Sequence, residues 1–266
     1  YQAEEAGDES LRLESNRRFA DLLDELPQAV REGSAQVPVS WDIRFSNVCN
    51  LKCRTCWHGN SSAWYNDAIQ TGALAANSPH IQALDTPDAF WHDIRPYLPY
   101  ARDWFWAGGE PLLMNEHFQA LKMLKSAGNT DLRLRYHTNL NVSYSQLNYW
   151  AENLKDFTDI TIGVSVDHTG KKGEYIRKGS KWEVIRQHLV AIRQLIPQAS
   201  IEWVPTVSIF NAMDLPAVYK RFMDEGLFKP GELRINILKF PRYYNVRMLP
   251  TFLKKELEEE IQKIKA

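Results

Sequence analysis

Cysteine is scarce in this chain: there are three in 266 residues, all within the eight positions from Cys49 to Cys56. An odd set packed that closely cannot frame a disulfide scaffold, because bridges among its members would close loops too short to constrain the rest of the chain. Charge of either sign is not in excess. The 32 Lys and Arg against 33 Asp and Glu leave a formal net charge of -1, which gives no electrostatic basis for a nucleic-acid partner. No apolar run approaches the roughly 20 residues that a membrane-spanning helix needs, and the first residues lack the charged-then-apolar pattern of a signal peptide. The expectation is therefore no nucleic-acid and no membrane partner, with a cytoplasmic location as the default. The chain starts at Tyr1, and its last helical pattern runs to Ala266 without a capping residue, as expected of a piece of a longer protein.

Apolar material is plentiful: 44% hydrophobic and 12% aromatic residues suffice for one large core or two modest ones. Trp41 to Phe45 alternates apolar and polar positions as a strand does and delivers the chain to Cys49. Strand-like runs recur at Asp103 to Ala107, Leu132 to Asn139, Ile160 to Asp167, Ile201 to Val204 and Leu233 to Phe240. Helical patterns fill the gaps. Trp182, Ile185, Leu189, Ile192 and Ile196 make one apolar stripe, Leu147, Trp150 and Leu154 another behind Ser145 as N-cap, and Ser10 to Leu26 reads as a short amphipathic helix. Alternating strand and helix imply parallel pairing, and six such strands suggest an α/β partial (β/α)6 barrel of the TIM type.

Two details qualify that picture. Ile160, Ile162, Val164 and Val166 alternate with Thr161, Gly163, Ser165 and Asp167, so one strand face suits helices and the other either a polar barrel interior or a wet edge. Pro205 cannot donate to a ladder, so the fifth strand is expected to end or bulge there. The long stretch from Trp57 to Arg102 looks helical only near Thr86 to Leu98, and is read as a cover for a site or a surface insertion.

Thiolates are soft ligands that select zinc, copper(I) or iron-sulfur centres. A zinc module would recruit His58 as a fourth ligand, in a cramped spacing after Cys56. Three thiolates alone would leave one iron of a cubane open. Cys49-Asn50-Leu51-Lys52-Cys53-Arg54-Thr55-Cys56 resembles the CxxxCxxC signature of radical S-adenosylmethionine (SAM) enzymes. Trp106-Ala107-Gly108-Gly109-Glu110-Pro111 resembles that family's GGEP motif, Thr138-Asn139 its third-strand ending, Ser165-Val166-Asp167 its fourth-strand segment, and Tyr175-Ile176-Arg177-Lys178-Gly179 its arginine segment.

The resemblance implies a radical SAM core over residues 40–241 in which Cys49, Cys53 and Cys56 ligate a [4Fe-4S] cluster. It also implies that Gly108, Gly109 and Glu110 hold the SAM amino group, that Asn139 closes its strand beside the cofactor, that Ser165 and Asp167 lie by the ribose, and that Arg177 pairs with the SAM carboxylate. The implied reaction is reductive cleavage of SAM to a 5'-deoxyadenosyl radical that takes hydrogen from an unidentified substrate, a peptide, protein or small molecule, with an electron donor such as flavodoxin or ferredoxin. The opening segment and Arg242 to Pro250 resemble relatives with twitch or SPASM domains. Residues 1–39 and 242–266 then read as helical extensions, and an auxiliary iron-sulfur cluster would draw on cysteines outside these residues. One departure concerns adenine: the family's usual aromatic residue before the last cysteine is here Thr55, with Trp57 just beyond. The rival readings are a structural zinc or iron-sulfur module and a radical SAM-like scaffold that has lost turnover.

Overall fold

The computed structural model describes residues 10–23, 37–84 and 86–265, in two compact units, 1–38 and 39–266. In the first, α1 (Leu11–Arg18) is capped by Ser10, whose hydroxyl accepts from the Leu13 amide at 3.1 Å. Phe19 leaves helical geometry at φ −118°, so the expected continuous helix breaks there and resumes as α2 (Ala20–Leu23); its expected end at Leu26 lies outside the described residues.

The second unit carries strands β1 (Ser40–Ile43), β2 (Lys52–Cys53), β3 (Asp103–Trp106), β4 (Arg133–Thr138), β5 (Asp159–Val164), β6 (Arg177–Lys178), β7 (Ala199–Trp203), β8 (Thr206–Val207) and β9 (Asn236–Ile237). Its helices are α3 (Tyr65–Gln70), α4 (Pro87–Ile94), α5 (Asn115–Ser126), α6 (Tyr144–Leu154), α7 (Gly170–Ile176), α8 (Trp182–Leu195), α9 (Leu215–Asp224) and α10 (Thr251–Lys265). Five strands form one parallel sheet in the order β1-β3-β4-β5-β7. This is the expected α/β design, with β strands joined through helices and their C-terminal ends along one edge.

Pro205 acts as anticipated. β7 stops at Trp203, and the chain resumes as β8 beyond the proline. The sixth strand is much shorter than Leu233 to Phe240: Leu233 makes a single parallel bridge to Trp203, and β9 pairs with β8 over two residues. Both β9 residues are exposed, so burial does little to extend that strand.

Register separates the two faces of the sheet. Trp104, Leu134 and Ile160 lie side by side, as do Trp106, Tyr136, Ile162 and Ile201. These residues are buried with Leu121 and Leu124 of α5, Leu147 and Trp150 of α6, and Leu189 and Ile192 of α8 in one apolar core. The Trp104 and Trp106 rings stack at 4.8 Å and 5°, so these tryptophans are core. On the opposite face the rows read Asp42, Phe105, Arg135, Thr161, Ser200 and, one step on, His137, Gly163, Glu202. The polar face anticipated for β5 therefore extends across the sheet.

One cap differs from expectation. Ser143, not Ser145, starts α6: its hydroxyl accepts from the Gln146 amide while the Gln146 side chain accepts from the Ser143 amide. The serine with a glutamine three residues later makes the reciprocal box, which Ser145 cannot.

Two outcomes test this core. Ile162→Ala should cost about 2–5 kcal/mol in chemical unfolding, since Ile162 is fully buried, whereas Ile237→Ala, at a half-exposed site, should stay within about 0.5 kcal/mol. His117, whose Nε2 lies 3.0 Å from the Tyr136 hydroxyl, is held by burial at a pKa of about 3. The unfolded chain binds this proton first, so stability should fall as pH drops from about 6.5 towards 3, at up to about 1.4 kcal/mol per pH unit; urea unfolding of His117→Gln should show a shallower acid slope.

Candidate functional site

The cysteine loop leaves β1 and is shaped by the residues that follow it. The Cys49 amide donates to Ser62 Oγ at 3.2 Å, Ser61 Oγ donates to the Leu51 carbonyl at 2.7 Å, and Trp64 Nε1 donates to the Cys53 carbonyl at 3.2 Å. Buried Asn47 donates from Nδ2 to the His58 carbonyl and the Tyr65 hydroxyl, and accepts at Oδ1 from the Ile81 amide. Part of the long stretch after Trp57 is thus fastened to the cysteine loop, and Gly59, Asn60, Ser61 and Ile81 form wall of the cavity beside it. Loop patterning shows no periodicity that would have revealed Asn47 or Tyr65.

The Gly-Gly-Glu turn sits against the same loop. Gly108 and Gly109 have φ of +84° and +54°, which favours glycine. A Cβ on Gly109 would come within 2.2 Å of the Val48 carbonyl oxygen, and one on Gly108 within 2.9 Å of Arg44 Cδ. The Glu110 amide donates to the Val48 carbonyl at 2.7 Å. Its buried carboxylate accepts from the Thr138 hydroxyl at 2.6 Å, the Asn139 amide at 2.7 Å and the Leu112 amide at 3.2 Å. Burial raises the Glu110 pKa, and these donors pull it back. Asn139 Nδ2 in turn donates to Asn50 Oδ1 at 3.0 Å, joining the end of β4 to the cysteine loop.

A two-residue antiparallel ladder sets Cys53 opposite Arg177. Asp167 grips that guanidinium through both oxygens, at 2.8 Å to Nε and 2.9 Å to Nη2, and Asp167 Oδ1 also accepts from the Thr206 amide at 2.8 Å. Burial works against the Arg177 charge, but Asp167, together with the charges of Cys53 and Cys49, outweighs it and raises the pKa. Arg177 and Ser165 line the cavity, while Asp167 stands behind Arg177 with its oxygens engaged.

These elements enclose a cavity of about 500 Å³ whose lining includes Cys49, Cys53, Cys56, Gly108, Gly109, Glu110, Asn139, Ser165 and Arg177. Of the residues that the sequence assigned to the cluster or to SAM, only Asp167 is set back from it. The lining also contains Arg44, His137, Thr138 and Thr206; of these, Arg44 and Thr206 gave no signal in the sequence beyond their places near strand ends.

The three cysteines are free thiols. Desolvation raises the pKa of each, Cys53 to about 12, while the charge of Arg177 lowers Cys53 and Cys56. Cys53 also feels the charges of Cys49 and Cys56, so ionising all three thiols here calls for cationic compensation. A set of soft thiols on one wall of a cavity fits an iron-sulfur group. The zinc module fits less well. Among the described residues no three His, Cys, Asp or Glu side chains gather as ligands of one ion, and His58 lines, with Cys56, Trp57 and Trp64, a depression that Cys49 and Cys53 do not line. Trp57 lies there too, 58% exposed, so Thr55 alone of that pair reaches the main cavity.

No protein-family model and no curated protein matches the chain. Solved structures of radical SAM enzymes do. A structure of anSMEcpe with bound AdoMet and the Cp18Cys peptide aligns with TM-score 0.59 and 18% identity over 85% of this chain and 59% of that one. Streptococcus suis SuiB bound to the precursor peptide SuiA aligns with TM-score 0.54 and 14% identity over 97% and 54%. AdoMet-bound anSMEcpe aligns with TM-score 0.52 and 20% identity over 75% and 51%. The chain spans about half the length of these structures, and it has the fold of the radical SAM core.

The tight turn can be tested against a matched control. Gly128 also has positive φ, but a Cβ there meets nothing within 4 Å. Gly128→Ala should cost about 1–2 kcal/mol from backbone strain, and Gly109→Ala measurably more in the same unfolding assay, because its methyl meets the Val48 carbonyl.

Proposed function

We propose that this chain is the catalytic core of a radical SAM enzyme. In this reading Cys49, Cys53 and Cys56 would hold a [4Fe-4S] cluster, which would supply the electron that cleaves bound S-adenosylmethionine to methionine and a 5'-deoxyadenosyl radical, the species that would take a hydrogen atom from the substrate. The observation that carries it is the convergence of three free thiols, the Gly-Gly-Glu turn and Arg177 on one cavity at the C-terminal edge of a parallel sheet, where such folds build their sites.

Each residue's proposed task follows from its surroundings. Gly108 and Gly109 let the backbone approach the SAM amino group closely, and Glu110 holds the turn while presenting negative charge to an ammonium. Arg177 has Nε and Nη2 engaged by Asp167 and offers its remaining Nη1 to the SAM carboxylate. Asp167 is a positioning residue for Arg177, and Ser165 on the cavity wall is the hydroxyl available to the ribose. Asn139 ties β4 to the cysteine loop. The 57–84 stretch helps keep water from a reactive radical.

Peptide or protein is the proposed substrate class, supported by neighbours that carry the Cp18Cys and SuiA peptides. A flavodoxin or ferredoxin is the proposed electron donor, and an auxiliary cluster would require cysteines beyond those of this chain.

Anaerobic reconstitution with iron and sulfide, then dithionite and SAM, tests the reading. About four irons per chain, lost in Cys49→Ala, with 5'-deoxyadenosine released, is the expected result. Zinc uptake without iron, or a cluster whose electron paramagnetic resonance signal ignores SAM, would return the cysteine loop to a structural role.

A further inference from the structure

Arg44 belongs to no part of the site assigned so far, yet it stands at the centre of the cavity's charge. It follows β1, and Asp42 fixes its plane with two hydrogen bonds, Nε to Oδ1 at 2.7 Å and Nη2 to Oδ2 at 3.1 Å. Nη1 has no hydrogen bond among the described residues, and the side chain is 48% exposed. Its guanidinium carbon lies 5.1 Å from the Phe105 ring centre, a distance at which the ring face supports a cation. Phe105 in turn meets the His137 ring edge-on at 4.8 Å and 90°. Arg44 is therefore held by Asp42 and backed by the Phe105 ring, with its stem against Gly108 and Nη1 left open.

Among the described residues, Asp42 is the one carboxylate paired with Arg44. Arg44 and Arg177 are its cationic lining residues, and Glu110, the acidic one, has both oxygens engaged. His137, on the same wall, is held to a pKa of about 4 by desolvation and then by the charges of Arg44, Arg135 and Arg177, with Asp42 acting in the opposite sense. Each of these arginines is paired with an aspartate, Arg44 with Asp42, Arg135 with Asp103 and Arg177 with Asp167, so the unengaged Nη1 of Arg44, and not an excess of positive charge, is what an anion would meet. Arg177 lies opposite Cys53, whereas Arg44 follows β1 and stands by Phe105 of β3.

We propose that Arg44 is a specificity-determining residue that binds a carboxylate of the substrate, through Nη1, beside the cofactor position. This rests on reading the cavity as the reaction site. A guanidinium pre-set by one carboxylate loses little freedom on meeting a second, and its planar fork favours a carboxylate over a neutral amide. Because Asp42 already satisfies half of that fork, the contact selects among substrates more than it supplies bulk affinity.

The test is a ligand-observed NMR titration of the reconstituted chain, with AdoMet present throughout to occupy its own carboxylate site. N-acetylglutamic acid α-amide, N-acetylglycine and neutral N-acetylglutamine amide serve as probes, standing for a side-chain carboxylate, a terminal carboxylate and neither. At least one carboxylate should bind more tightly than the neutral probe, and which one does names the source. Arg44→Gln should weaken that binding by about tenfold or more, Arg44→Lys by less, and AdoMet affinity, measured separately by equilibrium dialysis, should not change in either. Equal binding of the neutral probe, or carboxylate affinity untouched in both variants, would overturn the proposal. So would loss of AdoMet binding in Arg44→Gln, which would make Arg44 part of the cofactor site. Failure of the unsubstituted chain to bind AdoMet would count against the proposed function, while the carboxylate comparison would still decide the role of Arg44.

Discussion

The buried carboxylate of Glu110 is the joint on which the site depends. Three loops that follow three parallel strands have to meet within a few ångströms, and each brings backbone groups that the sheet no longer pairs. Glu110 serves all three. Its amide closes on Val48 of the cysteine loop, while its oxygens collect the Thr138 hydroxyl and the amides of Asn139 and Leu112. A carboxylate can accept several donors at once, where a neutral side chain of similar size would leave some unpaired in the core. Gly109 follows from the same constraint, because the turn can reach Val48 only where no Cβ stands between.

This explains why the site was more legible in the sequence than its scaffolding. Cys49, Gly109, Glu110 and Arg177 belong to short motifs whose residue types are demanded by chemistry or by close approach, and those motifs lie at strand ends that hydrophobic alternation had already located. The main strands are likewise legible, since each buries one face in a continuous core. The sixth is not: Leu233 to Phe240 has a strand's composition, but Leu238 is its one buried residue, and Pro205 shortens its partner. Asn47, Tyr65, Ser61 and Ser62 were beyond reach for another reason. Their hydrogen bonds join irregular segments through side chains, and no period or spacing records such a bond. Ser143 against Ser145 is a smaller case of the same kind, decided by where Gln146 falls.

The polar face of the sheet is a second consequence of parallel register. Because side chains alternate strictly, aligning Trp106, Tyr136 and Ile162 on the core face obliges Phe105, Arg135 and Thr161 onto the other. The charges this places there are paired: Arg135 bonds Asp103 at 2.7 and 2.6 Å, and Arg44 bonds Asp42. Phe105 lies 4.8 Å from the Arg135 guanidinium and 5.1 Å from that of Arg44, so one ring supports two cations. An interior built this way is ordered without being filled by aliphatic side chains, which suits a chamber that must admit a ligand.

Arg177 and Arg44 show how burial puts one device into two different environments. In both, an aspartate holds Nε and Nη2 and leaves Nη1 available. At Arg177 the aspartate is fully buried and the arginine nearly so, with side-chain exposures of 0% and 13%. Removing both charges from water is costly, and only a short bidentate pair with further donors, such as the Thr206 amide, sustains it. Such a pair holds its geometry, as a fixed point beside Cys53 requires. At Arg44 both partners are about half exposed, so water competes for the pair and an arriving anion can shift the balance. The buried arginine is therefore suited to a constant ligand, and the open one to discrimination among variable ones.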